Sequence, residues 1–158
     1  MNDLDLQHLR RAIAVSVSAR ANGNHPFGAT LVDATGAVVA EAENSVVTDS
    51  DVTAHAETNL VRIASRQWGP EELAGHTLYS SCEPCAMCSA AVFWAGIGRV
   101  SFALSVEGLM AVFSNRPDAP LHSMGARRLL SPGDGVEVAG PALEDEALVA
   151  HTGFWTGP

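Results

Sequence analysis

His55-Ala56-Glu57 and Pro84-Cys85-Ala86-Met87-Cys88 hold the residue types that bind a metal and use it. Cys85 and Cys88 are three positions apart, and on a helix such neighbours share one face, so both sulfurs can reach one ion. The first turn of a helix also presents free N–H groups and the positive end of the dipole, which favours thiolate. With the imidazole of His55 the set offers three protein ligands. Three is the count of a catalytic zinc site, whose fourth position stays open to water, rather than of a closed structural one. Glu57 follows His55 by two residues, about 200° round a helix, and is free to stand beside that water as a proton shuttle. Zinc with two thiolates is formally neutral and acidifies water less than a three-histidine site does, so a carboxylate base has a task there.

A structural zinc half-site would need a fourth protein ligand, and only Cys82 lies nearby. Cys82 precedes Pro84 and falls outside the helix face, so it is expected to be a buried strand residue. Three cysteines clustered between 82 and 88 make a poor disulfide framework and a plausible metal site in a reducing compartment.

The 158 residues suit one domain spanning 1–158, and 47% apolar with 17% charged residues is enough to build a core. All nine basic residues are arginine. The absence of lysine excludes Schiff-base chemistry and a phosphate-cradling P-loop. A formal charge of −9 argues against a nucleic-acid partner, whose binding rests on neutralised phosphates. The start, Met1-Asn2-Asp3-Leu4-Asp5, has no basic, apolar leader character. The apolar stretch from Ala86 to Ile97 is too short to span a bilayer. A cytoplasmic protein with no membrane association is expected.

Leu4, Leu6, Leu9, Ile13 and Val17 recur at helical spacing, with Asp3 as candidate N-cap and Gly23 as stop. Ala29–Asp33 and Ala37–Ala42 flank a turn at Thr35-Gly36 and read as a hairpin. A helix from about Ala54 to Arg66 is expected to start under a cap from Asp51 or Thr53. Strands are expected at Thr77–Ser81 and Arg99–Leu104. Between them runs a helix with Pro84 in its first turn, ending at Gly96. Residues 114–132 carry few periodic signals. A fifth strand over Gly135–Val138 and a short helix over Glu144–His151 complete the chain. Strands alternating with helices imply an α/β fold with a mixed sheet covered on both faces.

H-x-E followed by P-C-x-x-C is the signature of zinc nucleobase deaminases. From Pro26-Phe27-Gly28-Ala29 to Arg99-Val100-Ser101-Phe102 the chain resembles the cytidine-deaminase-like superfamily. Thr53-Ala-His-Ala-Glu57, Ser81-Cys-Glu-Pro-Cys-Ala-Met-Cys88, Asn44, Phe93-Trp94-Ala95 and Phe154-Trp155 are similar to bacterial guanine deaminases. That resemblance implies a three-layer α/β/α fold with a five-stranded mixed sheet. It implies Zn2+ on His55, Cys85 and Cys88, Glu57 as the catalytic acid–base, and a homodimer. It also implies substrate contacts from Asn44, Phe27, Trp94, Phe154 and Trp155, with backbone N–H groups near Ala56 and Cys85 orienting water and intermediate.

The expected reaction is hydrolysis of guanine to xanthine and ammonia. A nucleoside (guanosine or cytidine) or another amino-heterocycle is the alternative substrate. Editing of adenosine in tRNA is disfavoured by the charge and the missing lysines, and a silent zinc-binding module ranks below both enzymes. The bland readings place Asn44 at a strand end and Phe27, Trp94, Phe154 and Trp155 in ordinary packing. They make Glu144, Asp145 and Glu146 a solvated helix start, and give His25, His76, His122 and His151 surface or structural roles.

Overall fold

The computed structural model describes residues 1–113, 124–130 and 132–155. Helix α1 (Asp3–Ala21) leads into the hairpin β1 (Gly28–Val32) and β2 (Val38–Glu43). Then come α2 (Ala56–Gln67), α3 (Pro70–Leu73), β3 (Thr77–Cys82), α4 (Ala86–Ala95) and β4 (Arg99–Leu104). The remainder is α5 (Val106–Val112), α6 (Ala126–Leu129), β5 (Glu137–Ala139) and α7 (Glu144–Leu148), the last running into a 3₁₀ turn at Val149–His151.

The five strands form one mixed sheet in the order β2-β1-β3-β4-β5. β1 pairs antiparallel with both β2 and β3, while β3–β4 and β4–β5 are parallel. Leu60 and Ala64 of α2 and Val92 of α4 pack with Leu31, Leu78 and Val100 on one face. Leu9 and Ala12 of α1 join Val32, Tyr79, Ala103 and Ala147 on the other. The expected mixed sheet with helices on both faces is the observed architecture, and no helix among the described residues is long and apolar enough to cross a membrane.

The ends of elements differ from the sequence expectation for local reasons. Asn2, not Asp3, caps α1, because Asn2 and Asp5 form a reciprocal capping box at 2.9 Å in each direction. Asp51 and Thr53 do not cap α2: Asp51 Oδ1 accepts from the backbone and hydroxyl of Thr53 in the preceding turn, and His55 stands at the N-cap. Pro84 lies two residues before α4, whose N-cap is Cys85. Helices α3, α5 and α6, which the pattern did not announce, are one or two turns each. Of the region 114–132, only 124–130 and 132 are described, and His122 lies outside them.

Gly28 brings β1 against α1 closely enough that a Cβ would sit 2.7 Å from the Ala12 carbonyl oxygen. Only glycine allows backbone to approach backbone in this way. Across the same interface the buried carboxylate of Asp5 accepts from Tyr79 Oη and from Arg99, each at 2.7 Å. Burial alone would raise the Asp5 carboxyl, but the Arg99 and Tyr79 hydrogen bonds overrule it and hold it well below the usual carboxylate range. A depressed folded pKa contributes stability above the unfolded value of about 3.9, and that contribution is lost as pH falls through the folded value. Asp5→Asn is therefore expected to lower unfolding free energy by about 2 kcal/mol at pH 7, and the gap to the unsubstituted chain should narrow by pH 3. Urea titrations at both pH values measure this, and an equal gap at the two would refute it.

Candidate metal centre

Two helix starts converge on one point. His55 is the N-cap of α2 and Cys85 the N-cap of α4, both with extended backbone (ψ 152° and 178°), and Cys88 lies in the first turn of α4. The His55 side chain makes no bond to its own helix, and the Cys85 sulfur meets its helix at the Cys88 thiol, so His55 and Cys85 stay turned toward each other. The His55 Nδ1 atom lies 3.7 Å from Cys85 Sγ and 3.6 Å from Cys88 Sγ, and the two sulfurs are 3.6 Å apart. Tetrahedral zinc with bonds of about 2.3 Å to sulfur and 2.0–2.1 Å to nitrogen requires sulfur–sulfur and sulfur–nitrogen separations of about 3.8 and 3.6 Å. The triangle therefore fits zinc closely, and these three residues could hold the ion.

The electrostatics agree. The hydrogen bond from Cys88 is the largest influence on Cys85, and with His55 it outweighs burial and holds the Cys85 thiol down to about 4. Cys88, as donor and deeply buried, is pushed up. Metal binding must release that retained proton, because the ligand form is the thiolate. Cys82 ends β3, buried away from the triangle, and burial raises its thiol well above the ordinary range.

Glu57, the second residue of α2, is buried beside the ligands, with Oε2 3.5 Å from Cys88 Sγ and Oε1 accepting from Ser80 Oγ at 3.0 Å. Burial, reinforced by the Cys85 thiolate and opposed by His55, raises its carboxyl. Ala56 is the first residue of α2, so its N–H has no acceptor within the helix. Asn44, 1% exposed, follows β2; its side-chain oxygen accepts from Val46 N–H at 3.1 Å and its N–H donates to the Phe27 carbonyl at 3.0 Å. Phe27 leans edge-on to His151 and faces Trp155 at 6.2 Å, so the C-terminal aromatics meet the N-terminal wall within one chain. Phe154 packs beside Trp155, under the Arg20 guanidinium.

Trp94 departs from expectation. It is 80% exposed and touches only Phe93 among aromatic rings of the described residues. Six residues beyond Cys88 on a helix is about 240° of rotation, which carries the ring away from the metal face. Glu144 departs too from a solvated start: its carboxylate accepts from the backbone and hydroxyl of Ser105 and caps the approach to α5.

Several supporting residues gave no sequence signal. Asn59 donates to the Glu43 carbonyl, Ser45 Oγ and the Ala54 carbonyl, tying the Asn44 loop to the His55 loop. The buried Glu83 carboxylate accepts from Val106 N–H and from the backbone and guanidinium of Arg127, fixing the segment before Cys85. Apart from the Asn59–Ala54 contact, these bonds join residues 14 to 44 positions apart, so neither spacing nor composition could have paired them.

The model of the cytidine and deoxycytidylate deaminase zinc-binding region matches residues 2–104. A probable cytosine deaminase of Schizosaccharomyces pombe is 44% identical over 158 residues, covering 99% of this chain and 96% of that protein. A guanine deaminase of Bacillus subtilis is 43% identical over 98 residues, covering 60% of this chain and 61% of that protein. The structure of a guanine deaminase from Nitrosomonas europaea superposes with a TM-score of 0.73 at 23% identity, covering 90% of this chain and 80% of that one, which identifies the fold. Purified chain is expected to carry about one zinc per molecule by plasma mass spectrometry, and Cys88→Ala to carry less than a tenth of that. Full zinc content in Cys88→Ala would refute the assignment.

Proposed function

Because the chain belongs to the cytidine and deoxycytidylate deaminase zinc-binding family of hydrolases acting on C–N bonds, we propose that it hydrolytically deaminates a free nucleobase, guanine first, with release of ammonia. The observation that carries the reading is Glu57, a buried carboxylate 3.5 Å from a sulfur of the metal triangle and oriented by Ser80.

Zinc held by His55, Cys85 and Cys88 would supply Lewis-acid chemistry, lowering the pKa of a water so that it could act as a nucleophile near neutral pH. Glu57 takes one proton from the attacking water and passes it to the ring nitrogen; it then takes the second, from the hydroxyl now on the ring carbon, and passes it to the departing amine, so that the carbon–nitrogen bond breaks to ammonia as the carbonyl forms. The Ser80 hydroxyl holds one carboxylate oxygen still, so the other faces the reacting atoms. The free N–H of Ala56, at the positive end of α2, faces negative charge as it develops on the attacked carbon's substituents. The Asn44 side chain offers amide groups to the base edge, while Phe27 and Trp155, with Phe154 behind, supply flat apolar surface for a heterocycle. A small uncharged base needs no phosphate contact, which accords with a chain of charge −9 and no lysine. The same charge argues against tRNA. The chain is further proposed to act as a single domain and as a homodimer, which sedimentation would report.

Cytosine is the second reading, and one observation favours it. The Schizosaccharomyces pombe relative aligns over the full length, whereas a 98-residue alignment with the guanine deaminase cannot take in both Phe27 and Trp155.

The test is ammonia release from a panel of guanine, cytosine, adenine, guanosine, cytidine and tRNA. Guanine is expected to give the highest kcat/KM, with cytosine instead if the second reading holds. Glu57→Gln should keep its zinc and lose about 10²–10⁴-fold in kcat. Full activity in that zinc-loaded variant, or turnover of tRNA alone, would overturn the proposal.

A further inference from the structure

His151 is buried to 1% exposure, yet nothing in the deamination chemistry uses it. Its Nδ1 accepts a hydrogen bond from the indole Nε1–H of Trp155 at 3.1 Å, and the two rings lie nearly parallel at 15°. An indole N–H can only donate, so Nδ1 must keep its lone pair. His151 is thereby fixed as the neutral ring with its proton on Nε2. Burial, with the Arg20 cation adding, pushes its imidazolium down to about 4, so the neutral form prevails at neutral pH.

The surroundings show what this bond holds. Trp155 lies 5.3 Å from His25, 6.2 Å from Phe27 and 4.7 Å from Phe113, ring centre to ring centre. Phe27 in turn accepts the Asn44 N–H through its carbonyl. On either side of His151 the Arg20 guanidinium of α1 donates to the Ala150 and Thr152 carbonyls, both at 2.8 Å, and covers the Phe154 ring. Arg20 thus fixes the backbone of the C-terminal turn. The indole bond fixes which way the Trp155 ring faces.

We propose that His151 is a positioning residue: its Nδ1 latches Trp155 of the same chain toward Phe27, whose carbonyl holds Asn44, and so governs how tightly the base is held. The second clause rests on the deaminase reading above; the latch itself does not.

Two substitutions separate the latch from mere packing. His151→Phe keeps the ring volume and removes the acceptor, whereas His151→Asn loses volume and can return an oxygen to the place of Nδ1. In the zinc-loaded full chain, with whichever of guanine or cytosine is turned over, KM is expected to rise about tenfold in His151→Phe and in Trp155→Phe, with kcat within threefold. The double variant should be no worse than either single one, since both remove one bond. His151→Asn should recover KM to within threefold of the unsubstituted chain. The reverse order, with His151→Asn worse than His151→Phe, is what a volume-filling histidine gives, and it overturns the proposal.

A second measurement does not depend on turnover. The Trp155 indole N–H resonance, assigned by its disappearance in Trp155→Phe, should exchange slowly with water and should move upfield and exchange faster in His151→Phe. An unmoved resonance overturns the latch even in a fully active enzyme. A moved resonance in a chain that deaminates none of the bases leaves the latch standing and removes the deaminase reading instead.

Discussion

Everything at the centre depends on bringing two helix N-termini within one metal-ligand diameter of each other. His55 and Cys85 are both N-cap residues, and a cap residue is where a side chain can leave the helix axis while its backbone stays held. Ordinary caps turn inward to bond their own N–H groups. Here neither does, so the free N–H groups and the positive dipole ends of α2 and α4 face a common volume that favours thiolate, carboxylate and developing negative charge. The parallel β3–β4 pair, with α4 as its crossover, and the hairpin beside it set the distance between those two helix starts. A slip of one residue in β3 would send Cys85 to the wrong side of the sheet.

Such an arrangement concentrates buried polar groups, and the fold answers Glu83 with partners drawn from far along the chain. Glu83, immediately before Pro84-Cys85, is satisfied by Val106 and Arg127 rather than by neighbours in sequence. Asn59 satisfies three acceptors from loops on both sides of Asn44. Removing one partner of such a bond would leave the other buried and unpaired, which costs more than the bond contributes. The metal ligands are thus held by hydrogen bonds that do not themselves touch the metal, and this keeps a triangle of about 3.6 Å sides from collapsing or opening.

What could be read from the amino-acid order divides along the same line. The ligand set, Glu57, the strand–helix alternation and the placement of Arg99–Leu104 all follow from patterns no longer than a few residues. Helix starts were less legible, because Asn2, Asp3, Asp51 and Thr53 are all competent caps and only the tertiary path decides among them. The short helices α3, α5 and α6 carry too few turns to show a period. The exposed position of Trp94 is not legible either, because adjacency in sequence to a metal-binding helix turn says nothing about which face a residue six positions later occupies. His151 offered no local pattern at all, since its partners Trp155, Phe27 and Arg20 come together only in the folded chain.

This division bears on why relatives named for different bases resemble the chain at 44% and 43% identity. In the proposed reaction, activating water and moving protons need one triangle and one carboxylate, all within 55–88, whichever amino-heterocycle is the substrate. Discriminating between bases is a matter of which groups face the ring edge and how the flat faces are spaced. In the proposed function those groups are Phe27 and Asn44 at one end and Trp155 at the other, separated by most of the chain and joined through the C-terminal turn. A turn anchored by Arg20 and oriented by one indole bond can be re-aimed by substitutions that leave the metal triangle untouched. On the proposed reading, base choice can therefore diverge through the C-terminal turn while the residues of the metal triangle stay fixed.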